Sequence, residues 1–157
     1  MQMPRFPEEP ELQAVGVLTQ RRDRGVYKGR LGSHAVAIKV GESADIEAGL
    51  LKRAAGPGLA PCLKSTRTET GAAAFVAPLL RRSVDDIPST ETDGKTARVL
   101  EMTRSAAQAL ARLHRLGWVH GDVAAANVME APSRGFSLID LGAARRIGER
   151  PPAPALA

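Results

Sequence analysis

Short apolar runs set off by polar and glycine residues place three strands near the start of the chain, over residues 14–18, 25–29 and 35–40. Aliphatic and β-branched side chains suit a half-buried pleated surface. Leu31-Gly32-Ser33-His34 supplies the turn between the second and third. The pattern then changes. Ser43 is followed by residues 44–53, with Asp45 and Glu47 early and Lys52 and Arg53 late, which predicts an N-capped helix whose charges complement the helix dipole. Residues 62–67 and 73–77 flank a Thr68-Glu69-Thr70-Gly71 turn and form a second hairpin, completing an antiparallel sheet of about five strands.

The clearest helix comes next. Val99, Met102, Ala106, Ala109, Leu110 and Leu113 recur at steps of three and four, and Gly117 stops the run, so that stripe is a predicted core face. Beyond Trp118-Val119, residues 127–130 and 136–140 flank a turn at residues 131–135. They read as a hairpin that brings Asn127 and Asp140 to one end. A sheet followed by a separate, more helical part makes the fold class α+β.

Composition narrows the classes of function. At 157 residues the chain reads as one domain, large enough to bury about 70% of its unfolded surface. The net charge of +5 comes from 22 Lys and Arg against 17 Asp and Glu, and the basic residues lie in scattered pairs. With one Trp, one Tyr and three Phe there is no stacking platform for single strands, so nucleic acid is not an expected partner. A lone cysteine, Cys62, rules out an intramolecular disulfide and reads as a small core residue. No apolar run is long enough to span a membrane, and the first ten residues lack the apolar stretch of a secretory signal. Proline-rich residues 1–10 and 151–157 read as disordered tails. His34 and His114 have no metal-ligand spacing and are expected at the surface.

Three polar signatures sit on these elements. Val36-Ala37-Ile38-Lys39 ends a strand on a lysine, His120-Gly121-Asp122 is followed by Asn127, and Leu138-Ile139-Asp140-Leu141-Gly142 closes an apolar run. Each alone is commonplace. Together they supply most of what phosphoryl transfer from ATP requires, because its loose, highly charged transition state needs positioning and charge stabilisation. Lys39 can reach the α and β phosphates, while Asp140 and Asn127 offer hard oxygen ligands for Mg²⁺. Asp122 can orient an acceptor hydroxyl and take its proton, a role worth about 10² to 10⁴ in rate.

In type and order these residues resemble the protein-kinase-like superfamily over residues 16–148. The resemblance implies a single minimal bilobal domain over residues 1–157. Its first lobe, near residues 11–80, would be an antiparallel sheet with one helix, and its second, near residues 81–150, reduced and mainly helical. It implies ATP and Mg²⁺ as cofactors, with Lys39, Asp122, Asn127 and Asp140 catalytic and Asn127 and Asp140 as metal ligands. Glu47 is the implied ion-pair partner of Lys39. Val26, Ala37, Val76 and Leu79 are implied to contact the nucleotide, whose adenine edge meets the backbone where residues 76–80 leave the sheet. Pro78 has no N–H, so a neighbour such as Leu79 is the donor there. His120 is implied to be a scaffold residue.

The chain also departs from the family pattern. Gly25-Val26-Tyr27-Lys28-Gly29 resembles the segment after the family's glycine-rich loop, and in that register Thr19, Arg21 and Arg24 stand where the three glycines would be. Either phosphate contact passes to the guanidinium groups of Arg21, Arg22 or Arg24, or the stretch is a solvated basic turn. The short gap between Lys39 and Glu47 suggests a trimmed helix. Fifteen residues follow Gly142, so neither an activation segment nor the family's lower helices are expected. Gly121 and Ala124 replace an arginine and a lysine, as in atypical protein kinases and the antibiotic- and choline-type phosphotransferases.

Three readings remain open. The first is a constitutively active minimal Ser/Thr protein kinase, similar to effectors that bacteria inject into host cells and acting on a host protein such as a chaperone. The second is a small-molecule phosphotransferase, and the third a nucleotide-binding pseudokinase. The first carries with it a monomer with a protein substrate and no membrane span, cytoplasmic in the producing cell or secreted into a host cell.

Overall fold

Each of the five expected sheet segments contains a strand in the computed structural model, which describes residues 3–20, 24–86, 95–131 and 135–149. In chain order the elements are β1 (Leu12–Gln20), β2 (Arg24–Leu31), β3 (His34–Gly41), α1 (Ala44–Arg53), β4 (Lys64–Arg67), β5 (Ala73–Pro78), α2 (Lys95–Arg115), β6 (Trp118–Val119), β7 (Val128–Ala131), β8 (Gly135–Leu138) and β9 (Arg145–Arg146). The first five strands form one antiparallel sheet in the order β1-β2-β3-β5-β4. β7 pairs with β8, and β6 with β9. Chain leaving β5 runs along β7, where the Arg81 N–H donates to the Glu130 carbonyl (2.9 Å) and the Glu130 N–H to the Arg82 carbonyl (2.9 Å).

Strand alternation divides the sheet into two faces. Leu12, Tyr27, Val36, Ile38, Ala74 and Val76 point outward into one core cluster, whereas Ala73 and Phe75 join a second cluster on the inner face with α1. That inner cluster also holds Ala109 and Leu113 of α2 and Phe136 and Leu138 of β8, so apolar packing is continuous across the expected boundary near residue 80. α1 lies against β5, and α2 against β8 and β6.

The outer face needs a cover, and the N-terminal segment provides it. Residues 3–10, read from the sequence as part of a disordered tail, are packed: Phe6 is 5% exposed and sits among Tyr27, Val36, Ile38 and Val76. The Glu69 N–H donates to the Arg5 carbonyl, Glu9 pairs with Lys64, and a turn closes between Phe6 and Glu9. Proline content described the local chain correctly but could not reveal that one aromatic had an apolar face to fill. The other expected tail, residues 151–157, lies outside the described residues.

The helices follow their patterns with two corrections. Ala109 and Leu113 are fully buried, but Val99 is 47% exposed, so the fully covered part of the stripe lies in the later turns of α2. Ser43 precedes α1 as expected, yet its side chain makes no cap to the backbone; it donates instead to Glu47. Residues 54–60 then press against α2 at Gly58, whose φ is +86° and where an added Cβ would stand 2.1 Å from the Ser105 carbonyl oxygen. Only glycine permits that approach. Among the described residues no helix is long and apolar enough to cross a membrane.

If the N-terminal segment is part of the core, Phe6→Ala should lower stability by about 3 kcal/mol, the usual scale for emptying a buried aromatic site. Urea unfolding of the whole chain would show it as a lower midpoint. An unchanged midpoint would mean that residues 3–10 contribute nothing to the fold.

Candidate active site

The inner face of the sheet and the β7–β8 hairpin enclose a cleft of about 610 Å³. Val26, Ala37, Phe75 and Ala77 line it from the sheet, Met129 and Leu138 from the hairpin, and Leu79 from the segment that leaves β5. Lys39, Glu47, Asn127 and Asp140 also line it, so seven of the expected nucleotide and catalytic residues meet in one space. Val76 does not. It is fully buried in the outer cluster, because successive residues of a strand point to opposite faces. Phe75 and Ala77 take the place assigned to it, and the period of two in β5 was the signal that could have found them.

Lys39 projects from the inner face of β3 and joins two other elements. Its Nζ donates to Glu47 Oε2 (2.8 Å) on α1 and to Asp140 Oδ1 (2.6 Å) just beyond β8. Glu47 is 1% exposed, and its second oxygen accepts from Ser43 Oγ (2.6 Å). Both oxygens of this buried carboxylate are therefore satisfied, as burial of a charge demands. The i to i+4 spacing of Ser43 and Glu47 was visible in the sequence, but a serine before a helix reads first as a cap.

Asp140 has a left-handed backbone, with φ +61°, a conformation that Asp tolerates better than most residues and that still costs about 1–3 kcal/mol. Its Oδ1 accepts from the Gly142 N–H (3.2 Å) as well as from Lys39. Burial alone would raise the Asp140 carboxyl. The Lys39 hydrogen bond and charge, the Gly142 N–H and the Arg24 guanidinium outweigh that effect and hold it below the usual carboxylate range.

Asp122 is reached through a second set of contacts. His120 is 1% exposed; its Nδ1 lies 3.3 Å from the Asp122 N–H, which donates to it. The ring hydrogen therefore sits on Nε2, which donates to the Ile139 carbonyl (2.9 Å). His120 thus ties the backbone of Asp122 to the residue before Asp140, the supporting role expected of it. Asn127 lies in a 3-10 turn at Ala125–Asn127 rather than in the strand. Its Nδ2 donates to the Asp122 carbonyl (2.9 Å) and to Asp122 Oδ2 (3.0 Å), and its carbonyl accepts from the Ile139 N–H (2.8 Å). The hairpin accordingly joins Asn127 to the approach to Asp140.

A small contact missed by sequence reading fixes this loop. The β6–β9 ladder carries Ala143 back over Gly121, whose φ is +86°. A Cβ at Gly121 would stand 2.1 Å from the Ala143 carbonyl oxygen and 2.9 Å from Arg145 Nη1. Two-residue strands leave almost no pattern to read, so the ladder was not visible beforehand.

Among the described residues no group of three or more His, Cys, Asp or Glu side chains is arranged to hold a metal. The available donors are nevertheless hard ones. Asn127 uses its amide nitrogen on Asp122 and Asp140 uses Oδ1 on Lys39 and Gly142, which leaves the Asn127 amide oxygen and Asp140 Oδ2 as ligand atoms. Two protein oxygens suit Mg²⁺, which keeps several waters and takes its other ligands from substrate phosphates. In comparison with known proteins, neither a protein family nor a curated sequence matches the chain.

The charge on Asp140 has a testable sign. Because its native carboxyl titrates below the ordinary Asp value of about 3.9, its stabilising contribution is complete above that value and is lost as pH falls through the lower native one. The stability difference between the chain and Asp140→Asn should shrink on acidification from about pH 5 to pH 2. Parallel unfolding profiles would remove the assigned coupling to Lys39. Gly121→Ala should cost about 1–3 kcal/mol through its positive φ and the clash with Ala143, read as a lowered melting temperature; unchanged melting would refute the close approach.

Proposed function

We propose that the chain is an ATP-dependent protein kinase of minimal form, with the five-stranded sheet and α1 as one lobe and α2 with the small hairpins as the other. One observation carries this reading: Lys39 is held between Glu47 and Asp140 at 2.8 and 2.6 Å in the cleft that Asn127, the partner of Asp122, also lines. A cation flanked by two carboxylates, with an aspartate–asparagine pair alongside, is the set of groups that positions a nucleotide triphosphate for transfer.

In this reading Lys39 binds the α and β phosphates, and Glu47, fixed by Ser43, holds the lysine at the correct height. Mg²⁺, held by Asp140 and Asn127, would supply charge neutralisation across the phosphates. Asp122 orients the acceptor hydroxyl and accepts its proton while the hydroxyl oxygen bonds to the γ-phosphorus and the bond to the β–γ bridging oxygen breaks. Asn127 keeps the Asp122 carboxylate turned, and His120 sets the height of its backbone. Adenine would lie among Val26, Ala37, Phe75 and Ala77, with Leu79 offering backbone.

A protein acceptor is favoured over a small one by exposure. Residues 121–126 are all exposed, so Asp122 lies on an open shelf rather than in an enclosed acceptor pocket, and a polypeptide segment can lie across such a shelf.

The decisive assay is transfer of label from γ-labelled ATP with Mg²⁺ to proteins of a cell lysate. Asp122→Asn should keep nucleotide affinity and lose about 10² to 10⁴ in rate, whereas Asp140→Asn should weaken Mg²⁺-dependent ATP binding. Wild-type rates in Asp122→Asn would overturn the reading, and label appearing only in an added aminoglycoside or amino alcohol would move the activity to small molecules. Lys39 is a poor position for this test, because its removal leaves Glu47 buried and underpaired at a cost of about 3–5 kcal/mol.

A further inference from the structure

Besides Lys39 the cleft is lined by Arg24, Arg81 and Arg82, and of these arginines Arg24 is the one whose charge helps to lower the Asp140 carboxyl. Arg24 opens β2 opposite Gly41 of β3 and lines the cleft with Lys39 and Asp140. Its guanidinium reaches the loop after Asp140. At the bare α-carbon of Gly142, an added Cβ would lie 3.0 Å from Asp140 Oδ1, 3.3 Å from Arg24 Nη1 and 3.4 Å from Glu47 Oε1. The oxygens are engaged by Lys39, Ser43 and the Gly142 N–H. The Arg24 guanidinium, by contrast, makes no hydrogen bond or ion pair among the described residues and acts on Asp140 through its charge alone.

A partly buried guanidinium without a fixed partner, aimed into a cleft beside a metal-ligating carboxylate, is arranged to receive an anion. Guanidinium presents a planar fork of donors that matches two phosphate oxygens at once. Its place also differs from that of Lys39: it stands at the start of β2, at the end of the segment where Thr19, Arg21 and Arg24 occupy the positions of a glycine-rich phosphate loop. Arg21 and Arg22 lie outside the described residues, and Arg24 is placed in the cleft by its own position. Backbone N–H groups approach phosphate closely only where side chains are absent; a guanidinium reaches the same oxygens from farther away.

Resting on the kinase reading above, we propose that Arg24 binds the terminal phosphates of the nucleotide through its guanidinium, replacing by one side chain the contacts a glycine loop makes with backbone. Specificity for the triphosphate over shorter phosphates then resides in Arg24, and recognition of the base in the apolar lining. Arg24 acts in binding and takes no part in proton transfer.

Calorimetric titration of the full chain with adenosine, AMP, ADP and ATP, each with Mg²⁺, separates these parts. For the unaltered chain, affinity should rise along the series. Arg24→Ala should weaken ATP by about 10- to 100-fold, the scale of a lost charge-assisted contact, while adenosine binding stays as it was. Arg24→Lys, which keeps the charge but loses the fork, should fall between. Inorganic tripolyphosphate should compete with ATP on the unaltered chain and lose that ability on Arg24→Ala. Equal ATP affinity in Arg24→Ala, or an equal loss for adenosine and ATP, would overturn the assignment and leave the kinase reading standing. Absence of any nucleotide binding by the unaltered chain would overturn both.

Discussion

One ammonium group joins the pieces of this molecule that chain order keeps apart. Lys39 belongs to the sheet, Glu47 to α1 and Asp140 to the loop beyond β8, and both carboxylates lie within 2.8 Å of the same nitrogen. The strength of the arrangement comes from its unequal burial. Glu47 is out of water, where an unpaired charge is costly, so it fixes α1 against β3. Asp140 is a third exposed and carries a strained backbone, so it is the member of the three most open to solvent. A buried pair and a more exposed one thus share one cation.

Much of this was legible in the sequence for physical reasons. The five strands announced themselves by short apolar runs between turns, α2 by its stripe, and the ionic residues by type and order. Glu47 could be picked out as the partner of Lys39 from its place in the predicted helix. What stayed hidden was set by tertiary contact. Val76 was placed at the cleft because the segment leaving the sheet was treated as a unit, while the pleat assigns alternate residues of it to opposite faces. The packing of Phe6 depends on an uncovered sheet face some twenty to seventy residues away, and the exposure of Val99 depends on which turns of α2 the rest of the chain covers. Nothing in the sequence told Arg24 apart from Arg21 and Arg22.

Two glycines show how backbone proximity governs the site from outside it. Gly58 lets the segment after α1 touch the backbone of α2, and its carbonyl accepts from the Leu138 N–H (2.8 Å), two residues before Asp140. Gly121 lets Ala143 close over the start of the Asp122 loop. Both contacts act on the same short stretch of chain, one from each side. Position 121 has no room for a side chain, and Arg145 stands beside it.

The bulges in β1 have a consequence for the molecule's behaviour in a crowd of its own kind. β1 is an outer strand of the sheet and shows exposed Val15, Val17 and Leu18, a combination that ordinarily invites another chain to add a strand and begin an aggregate. The pairing register with β2 skips at Val15 and again at Leu18, so the free edge has no unbroken run of N–H and C=O groups for a newcomer to match. Irregularity at this edge therefore works against strand addition, and a substitution that straightened β1 would improve the sheet of one molecule while favouring such pairing between molecules.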